Sequence, residues 1–371
     1  MCDEMKRPEW VPSEEEQSDA FTSMVIKGVT QPSPPKSPVR KRSVSIDELT
    51  EGVRSDNRTL LAQAITLVES SASKHREKAQ PLIGQLLPYT GNSIRIGITG
   101  VPGAGKSTFI EAFGTMLCEK GHKVAVLAVD PSSTLTRGSI LGDKTRMEQL
   151  IHQPNAFVRP SPSGGALGGV NRRTRETMLL CEAAGYDVII VETVGVGQSE
   201  GMVRDMVDFF LLLTLTGAGD ELQGMKRGIL ELTDSILINK ADGDNKIRAL
   251  QTASLYTQMS HLFQPVTEGW TVRINACSAL HKEGLEEFWE IVQNFEESTK
   301  ASGVFERRRS KQKRNWLYSS IREQLEQCFF SNPLMKELLP LYEQEIMEGR
   351  QTVTKAVAQL MEHYLNGKES L

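Results

Sequence analysis

Gly100-Val-Pro-Gly-Ala-Gly-Lys106-Ser107 combines three glycines, a lysine and a hydroxyl in the order G-x-x-x-x-G-K-[ST]. This spacing can hold polyphosphate. Gly100, Gly103 and Gly105 let the backbone curl until consecutive N–H groups face one anion. A helix starting there adds its positive end. Lys106 brings a point charge to the β/γ-phosphates, and Ser107 offers a hydroxyl to Mg²⁺. Ala104 and Thr108 complete the cradle. The run follows a β-branched stretch at 94–99, the strand that such a loop requires.

A second group lies 133 residues after Lys106: Asn239-Lys240-Ala241-Asp242. A carboxylate at Asp242 accepts from guanine N1–H and from the exocyclic 2-amino group. Adenine has neither donor and presents an acceptor at N1. It would leave a buried charge unpaired, which discriminates strongly. The aliphatic stem of Lys240 can lie over the base plane, and Asn239 can tie this group to the phosphate loop. Cys277-Ser278-Ala279-Leu280 comes after one further strand, and its backbone N–H groups suit guanine O6.

A hard divalent cation on triphosphate also needs carboxylate oxygens. Asp130 ends one apolar run, Asp143 stands in Gly-Asp-Lys-Thr, and Glu192 ends another. Strand C-termini face the ligand crevice in open α/β sheets, although a helix cap or a surface acid would look the same. Glu192-Thr-Val-Gly195 resembles the Asp-x-x-Gly signature of GTPases with Glu for Asp. Being one methylene longer, Glu192 would reach the metal through water. Gly195 would give its N–H to the γ-phosphate, making the residues after it a switch.

These groups need a scaffold. Strand candidates stand at 94–99, 123–129, 187–192, 208–215, 235–239 and 271–275, alternating with helical stretches. Their near-continuous apolar character fits parallel strands covered on both faces. The expected fold is α/β: a P-loop NTPase with a mostly parallel, doubly wound sheet and helical extensions at both ends. Four parts are expected: a disordered tail at 1–44, a helical module at 45–92, a G domain at 93–297 and a helical arm at 298–371.

The tail holds six of the sixteen prolines. Residues 1–19 carry a net charge of −5 and residues 20–44 a net of +5. Such a segment buries too little apolar surface to offset its ordering entropy. Order is expected from Ser45-Ile-Asp-Glu48, a capping-box pattern. A helix follows from about Asn57, and a stripe runs through Leu82, Ile83, Leu86 and Leu87. In the arm, Leu317, Ile321, Leu325 and Cys328 form one stripe. Val353, Val357, Leu360, Met361 and Tyr364 form another. Such stripes mark burial, and a partner subunit covering them is the favoured reading. The basic run 307–314 reads as a solvated face rather than a nucleic-acid patch, given a net charge of only −4 over 371 residues.

Composition excludes several classes. No apolar run approaches the ~20 residues that span a bilayer. Five widely spaced cysteines suggest neither a zinc knuckle nor a redox pair and fit a reducing cytoplasm.

Longer motifs carry a family resemblance. Asp130-Pro-Ser-Ser133, 138–147, Glu192-Thr-Val-Gly-Val-Gly-Gln-Ser-Glu200 and Gly219-Asp-Glu-Leu-Gln-Gly224 together resemble the MeaB/ArgK/MMAA family over about 45–365. These are P-loop GTPases that chaperone cobalamin-dependent acyl-CoA mutases, chiefly methylmalonyl-CoA mutase. The resemblance implies Mg²⁺ and GTP or GDP at the site, with cobalamin held only by the partner mutase. It implies metal and switch roles for Asp130, Asp143 and Glu192. It likens 217–231 to a third switch in which Asp220, Gln223 and Lys226 report nucleotide state, and the C-terminal helices to a dimerisation arm. Thr134, Arg137 and Arg227 depart from the usual family residues.

Val196 stands where a water-orienting glutamine could directly follow Gly195, and Gln198 lies two residues further on. Intrinsic hydrolysis is therefore expected to be slow, until a partner orders the switches and docks Lys226 or Asp220 inward. The alternatives are an ATP- or GTP-dependent kinase or transport-associated NTPase, opposed by N-K-x-D, and a metal-insertion GTPase, which lacks its Cys/His delivery motif.

Overall fold

The structure is a computed structural model that describes residues 44–70, 72–129, 147–160, 167–193, 199–217, 228–260 and 265–366. The expected tail at 1–44 falls outside these but for its last residue. Asp130, Asp143, Gly195, Gln198, Asp220 and Lys226 are also outside the described residues. Ser45–Leu371 forms one unit.

Three helices come first: α1 (Ile46–Arg54), α2 (Arg58–Glu69) and α3 (Ser73–Leu86). Ser45 and Glu48 close the capping box reciprocally at 3.0 and 3.1 Å. Asn57 caps α2 with its side-chain oxygen, and Leu61, Ala64, Ile65 and Val68 face inward. A Cβ on Gly52 would come within 2.1 Å of Leu60, so α1 and α2 meet at a distance that only glycine permits. In α3, Leu82, Ile83 and Leu86 are buried, but Leu87 turns outward.

The sheet strands are β1 (Ile94–Gly100), β2 (Val124–Val129), β3 (Ala156–Arg159), β4 (Val188–Thr193), β5 (Phe209–Thr214), β6 (Ser235–Ile238) and β7 (Arg273–Ala276). Their order is β3-β2-β4-β1-β5-β6-β7, and every pairing is parallel. β4 and β5 are buried at every residue, which is why they read as continuous apolar runs. The expected sheet had six strands. The seventh, β3, is a four-residue edge strand with only Ala156 buried, and its apolar run of three residues is too short to carry that signature.

Between the strands run α4 (Lys106–Glu119), α5 (Glu148–Ile151), α6 (Leu167–Ala183), α7 (Ser199–Arg204), α8 (Lys246–Ser260) and α9 (Leu285–Ala301). On one face of the sheet, Phe109 and Phe113 of α4 pack with Phe288 of α9 at ring separations of 5.6 and 5.1 Å. The other face is closed by Ala249, Ala253 and Tyr256 of α8 against Leu212, Ile236 and Ile238. Because all strands run one way, the loops leaving β1, β4, β5, β6 and β7 emerge along a single edge.

The arm comprises α10 (Val304–Ser331), α11 (Pro333–Met347) and α12 (Val353–Asn366). Met335, Leu360 and Tyr364 form its small core. Leu317, Ile321, Leu325, Val353, Val357 and Met361 remain exposed.

In the basic run at the root of α10, Arg307, Lys311, Lys313 and Arg314 are exposed as a solvated face would be, but Arg308 and Arg309 turn inward. Arg309 grips the fully buried Asp208 through Nε at 2.8 Å and Nη2 at 2.7 Å, and donates to the Gly91 and Ser93 carbonyls. Arg308 reaches the Asp208 carbonyl and Thr267, and Gln312 donates to the Val207 carbonyl. These residues fasten the arm to the N-terminal edge of the sheet. Arg204 of α7 joins the same network, 2.9 Å from Asp234.

Candidate functional site

The phosphate loop leaves the central strand β1. Gly100 lies so close to β5 that a Cβ would sit 2.2 Å from the Leu213 carbonyl oxygen. Gly103 and Gly105 take φ of 78° and 84°, the left-handed region that favours glycine. Gly105 is the N-cap of α4, so the first free amides of that helix open onto the loop. Ala104 is fully buried, and its N–H donates to the Val101 carbonyl at 3.1 Å.

Lys106 begins α4 and folds its ammonium back onto the Gly100 carbonyl at 2.8 Å. Burial pushes its pKa down, and the nearby carboxylates of Glu192 and Glu200 oppose that shift. The ammonium is thus half-buried, within electrostatic reach of two acids. Ser107 donates to Glu192 at 3.4 Å, bringing a hydroxyl and a carboxylate together at the ends of α4 and β4. Thr108 is exposed. The Thr193 and Thr99 hydroxyls meet at 2.9 Å and brace β4 against β1 at this level.

Asn239 leaves β6 and bridges two loops. Its amide nitrogen donates to the Ala104 carbonyl at 2.8 Å, and its amide oxygen accepts from the Ala279 N–H at 3.0 Å. One buried side chain thereby joins the phosphate loop to the 278–280 loop. Ser278 donates to the Asp242 carboxylate at 2.7 Å, and Ser278 and Glu283 exchange backbone hydrogen bonds at 3.0 Å each way. Lys240 is exposed with φ of 59°, and Leu280 is 72% exposed. Cys277 is buried beside Asn239, and burial pushes its thiol up to about 12, so it is inert at neutral pH.

The described site residues thus assemble along the C-terminal edge of the sheet: Gly100, Gly103, Ala104, Gly105, Lys106, Ser107 and Glu192 at one end, Asn239, Lys240, Asp242, Ser278 and Ala279 at the other. Sequence reasoning passed over Asn245, which holds Lys240 from behind, and gave Glu200 no role beyond closing the 192–200 motif, whereas it is buried and within electrostatic reach of Lys106. Asn245 belongs to no motif, and the spacing of 192–200 does not encode the nearness of Glu200 to Lys106, so only geometry reveals both roles. Among the described residues no cluster of three or more His, Cys, Asp or Glu could hold a metal.

Comparison with known proteins carries the assignment further. The family model described as Methylmalonyl Co-A mutase-associated GTPase MeaB matches residues 61–334. The chain belongs to the MeaB family.

MeaB-family resemblance extends to curated relatives. A putative GTPase of Caulobacter vibrioides is 51% identical over 319 residues, covering 86% of this chain and 98% of the relative. GTPase ArgK of Escherichia coli is 49% identical, covering 78% and 87%. The mitochondrial methylmalonic aciduria type A homolog of Mus musculus is 43% identical, covering 86% and 79%. Among solved structures, a crystal structure described as LAO/AO transport system kinase aligns at TM-score 0.68 and 39% identity, over 85% of this chain and 96% of that one. These matches make this MeaB-family member a P-loop NTPase of a GTPase family. No helix among its described residues is long and apolar enough to cross a membrane.

Proposed function

We propose that this chain is a Mg²⁺-dependent GTPase that gates cobalamin loading and protection in an acyl-CoA mutase of the methylmalonyl-CoA mutase type. The observation that carries the chemistry is the bridge made by Asn239, which ties a phosphate loop to a base loop beside the Asp242 carboxylate. The family description and the name of the mouse relative support the partner. The same base site argues against an ATP-using kinase, because adenine gives Asp242 no donor.

Ser107 and Glu192 supply the hard oxygen donors that Mg²⁺ takes. They would hold the cation, with Asp130 and Asp143 as further candidate ligands. When bound, the cation neutralises charge on the β- and γ-phosphates. Lys106 turns from the Gly100 carbonyl to the phosphates. Gly100, Gly103, Ala104, Gly105 and Thr108 line the phosphate path, and Gly195 gives its N–H to the γ-phosphate. Asn239, Lys240, Asp242, Ser278, Ala279 and Leu280 surround the base. Gln198, Asp220 and Lys226 complete the catalytic set once the partner orders them.

The exposed apolar faces of α10 and α12 support a homodimer. Cobalamin enters only through the mutase. The wide spacing of the cysteines supports a cytoplasmic location, and cell fractionation tests it.

The deciding experiment measures GTP turnover alone and with the mutase recovered by pull-down from the same cells. The mutase should raise the rate by at least an order of magnitude, since a supplied cation is worth ~10³–10⁵ in such reactions. Equal rates would remove the chaperone reading.

A further inference from the structure

Lys240 is one of only three non-glycine residues with positive φ among those described. A lysine holds this conformation only where its surroundings over-determine it. Two contacts do so. The Ala241 N–H donates to the Cys277 carbonyl at 3.0 Å. From the other side, the Asn245 side-chain N–H donates to the Lys240 carbonyl at 2.7 Å. Asn245 also closes the loop with its own backbone, its N–H donating to the Asp242 carbonyl at 3.0 Å. The tetrapeptide that faces the base is therefore braced at Lys240, Ala241 and Asp242, and two of those three braces come from Asn245.

The remaining half of the Asn245 amide is also in use. Its oxygen accepts from the Thr216 hydroxyl at 2.7 Å. A carbonyl can only accept, so Lys240 fixes the amide nitrogen toward itself and leaves the oxygen for Thr216. Thr216 stands two residues beyond β5, at the root of the segment that sequence resemblance likens to the third switch. Thr216, Asn245 and Lys240 form a continuous chain of hydrogen bonds from the β5 exit to the base loop.

We propose that the Asn245 side chain, anchored by Thr216, is a positioning group for base selectivity, holding Lys240, and through it the adjoining Ala241-Asp242, in register with the base. The proposal rests on the guanine-site reading. It makes selectivity depend on a residue outside N-K-x-D, and it gives the β5 exit loop a direct mechanical connection to the base.

Titration of the full chain with fluorescent GDP, with unlabelled IDP and ADP as competitors, tests this. IDP lacks the 2-amino group that Asp242 receives. Asn245→Ala should weaken GDP about five- to tenfold, in the range of one or two lost hydrogen bonds. It should weaken IDP less, so that the GDP:IDP preference falls, and leave the melting temperature of the nucleotide-free protein unchanged. Asn245→Asp keeps the acceptor for Thr216 but sets oxygen against the Lys240 carbonyl, so it should lose as much as the alanine variant. Thr216→Val should lose about two- to threefold and add nothing in the Asn245→Ala background.

Wild-type GDP affinity and an unchanged GDP:IDP ratio in Asn245→Ala would overturn the proposal. So would equal losses for both nucleotides with a lowered melting temperature. Should Asn245→Ala fail to fold, an unchanged ratio in Thr216→Val would overturn it instead. A wild-type protein that binds ADP as tightly as GDP gives a different result: it removes the guanine-site reading itself.

Discussion

At the scale of single residues, the base site turns on how a carboxylate is held. Ser278 donates to one oxygen of Asp242 at 2.7 Å, which fixes the plane of the group and leaves acceptor lone pairs on both oxygens for a ligand. Asp242→Asn replaces one acceptor with a donor that faces the guanine N1–H and 2-amino group. GTP affinity should fall ~100-fold or more, because donors then face donors. Xanthine nucleotides, which carry a carbonyl in place of the 2-amino group, should gain over the wild type. Competition binding with GTP and XTP checks both directions. A variant that keeps its GTP preference would show that Asp242 does not read the base. The residues that stand together in this site were legible in the sequence because each belongs to a motif whose spacing encodes a turn or a strand end. Asn245 was not, because a single amide outside a motif gains meaning only from what the fold brings beside it.

At the scale of elements, the sheet was readable where strands were covered on both faces and unreadable at its edge. β4 and β5 are buried throughout and apolar up to their C-terminal ends, because helices cover both sides. β3 is a four-residue edge strand whose apolar run, Ala156-Phe157-Val158, is too short to stand out. Arg308 and Arg309, at the root of α10, were misread for a related reason. Arginines in a charged run look solvated until a buried acid is found beneath them. Asp208 is that acid, fully buried at the start of β5 and accepting from Arg309 and from the Arg95 N–H at 2.9 Å. Burial alone would raise its pKa, but the hydrogen bonds and charges of Arg309 and Arg95 outweigh it and hold it below the usual value. A carboxylate depressed in the folded state stabilises above its unfolded pKa of about 3.9, and that contribution is lost as pH falls through the folded value. Asp208→Asn leaves Arg309 buried without its counter-charge and should cost about 3–5 kcal/mol at pH 7. The gap between wild type and variant should narrow as pH drops below about 4. Urea melts at pH 7 and pH 3 test this. A pH-independent gap would assign the loss to packing rather than charge.

At the scale of the whole molecule, the arm presents more apolar surface than its own core can cover. Leu317, Ile321 and Leu325 recur every four residues along α10, and Val353, Val357 and Met361 do the same along α12. Side chains four apart share one helix face, so each helix carries a continuous apolar stripe. Both stripes lie outside the cluster of Met335, Leu360 and Tyr364 that holds α11 and α12 together. Contiguous exposed patches beyond a few hundred Å² are rare in monomers and mark contact surfaces. A second copy of the chain offers the same stripes, and a two-fold axis would pair each with its counterpart. The arm is also fastened rigidly enough to serve as a platform, since Arg308, Arg309 and Gln312 tie its root to the sheet. Ile321→Asp with Leu325→Asp should convert the proposed dimer to a monomer in light scattering at micromolar concentration. The GDP affinity of the G domain should be retained, because neither residue approaches the nucleotide site. The charges replace residues already exposed in one copy, so a dilute monomer should lose little stability. A wild-type protein that scatters as a monomer would overturn the dimer. A double variant that stays dimeric would move the interface off α10 and leave α12 as the surface to charge next.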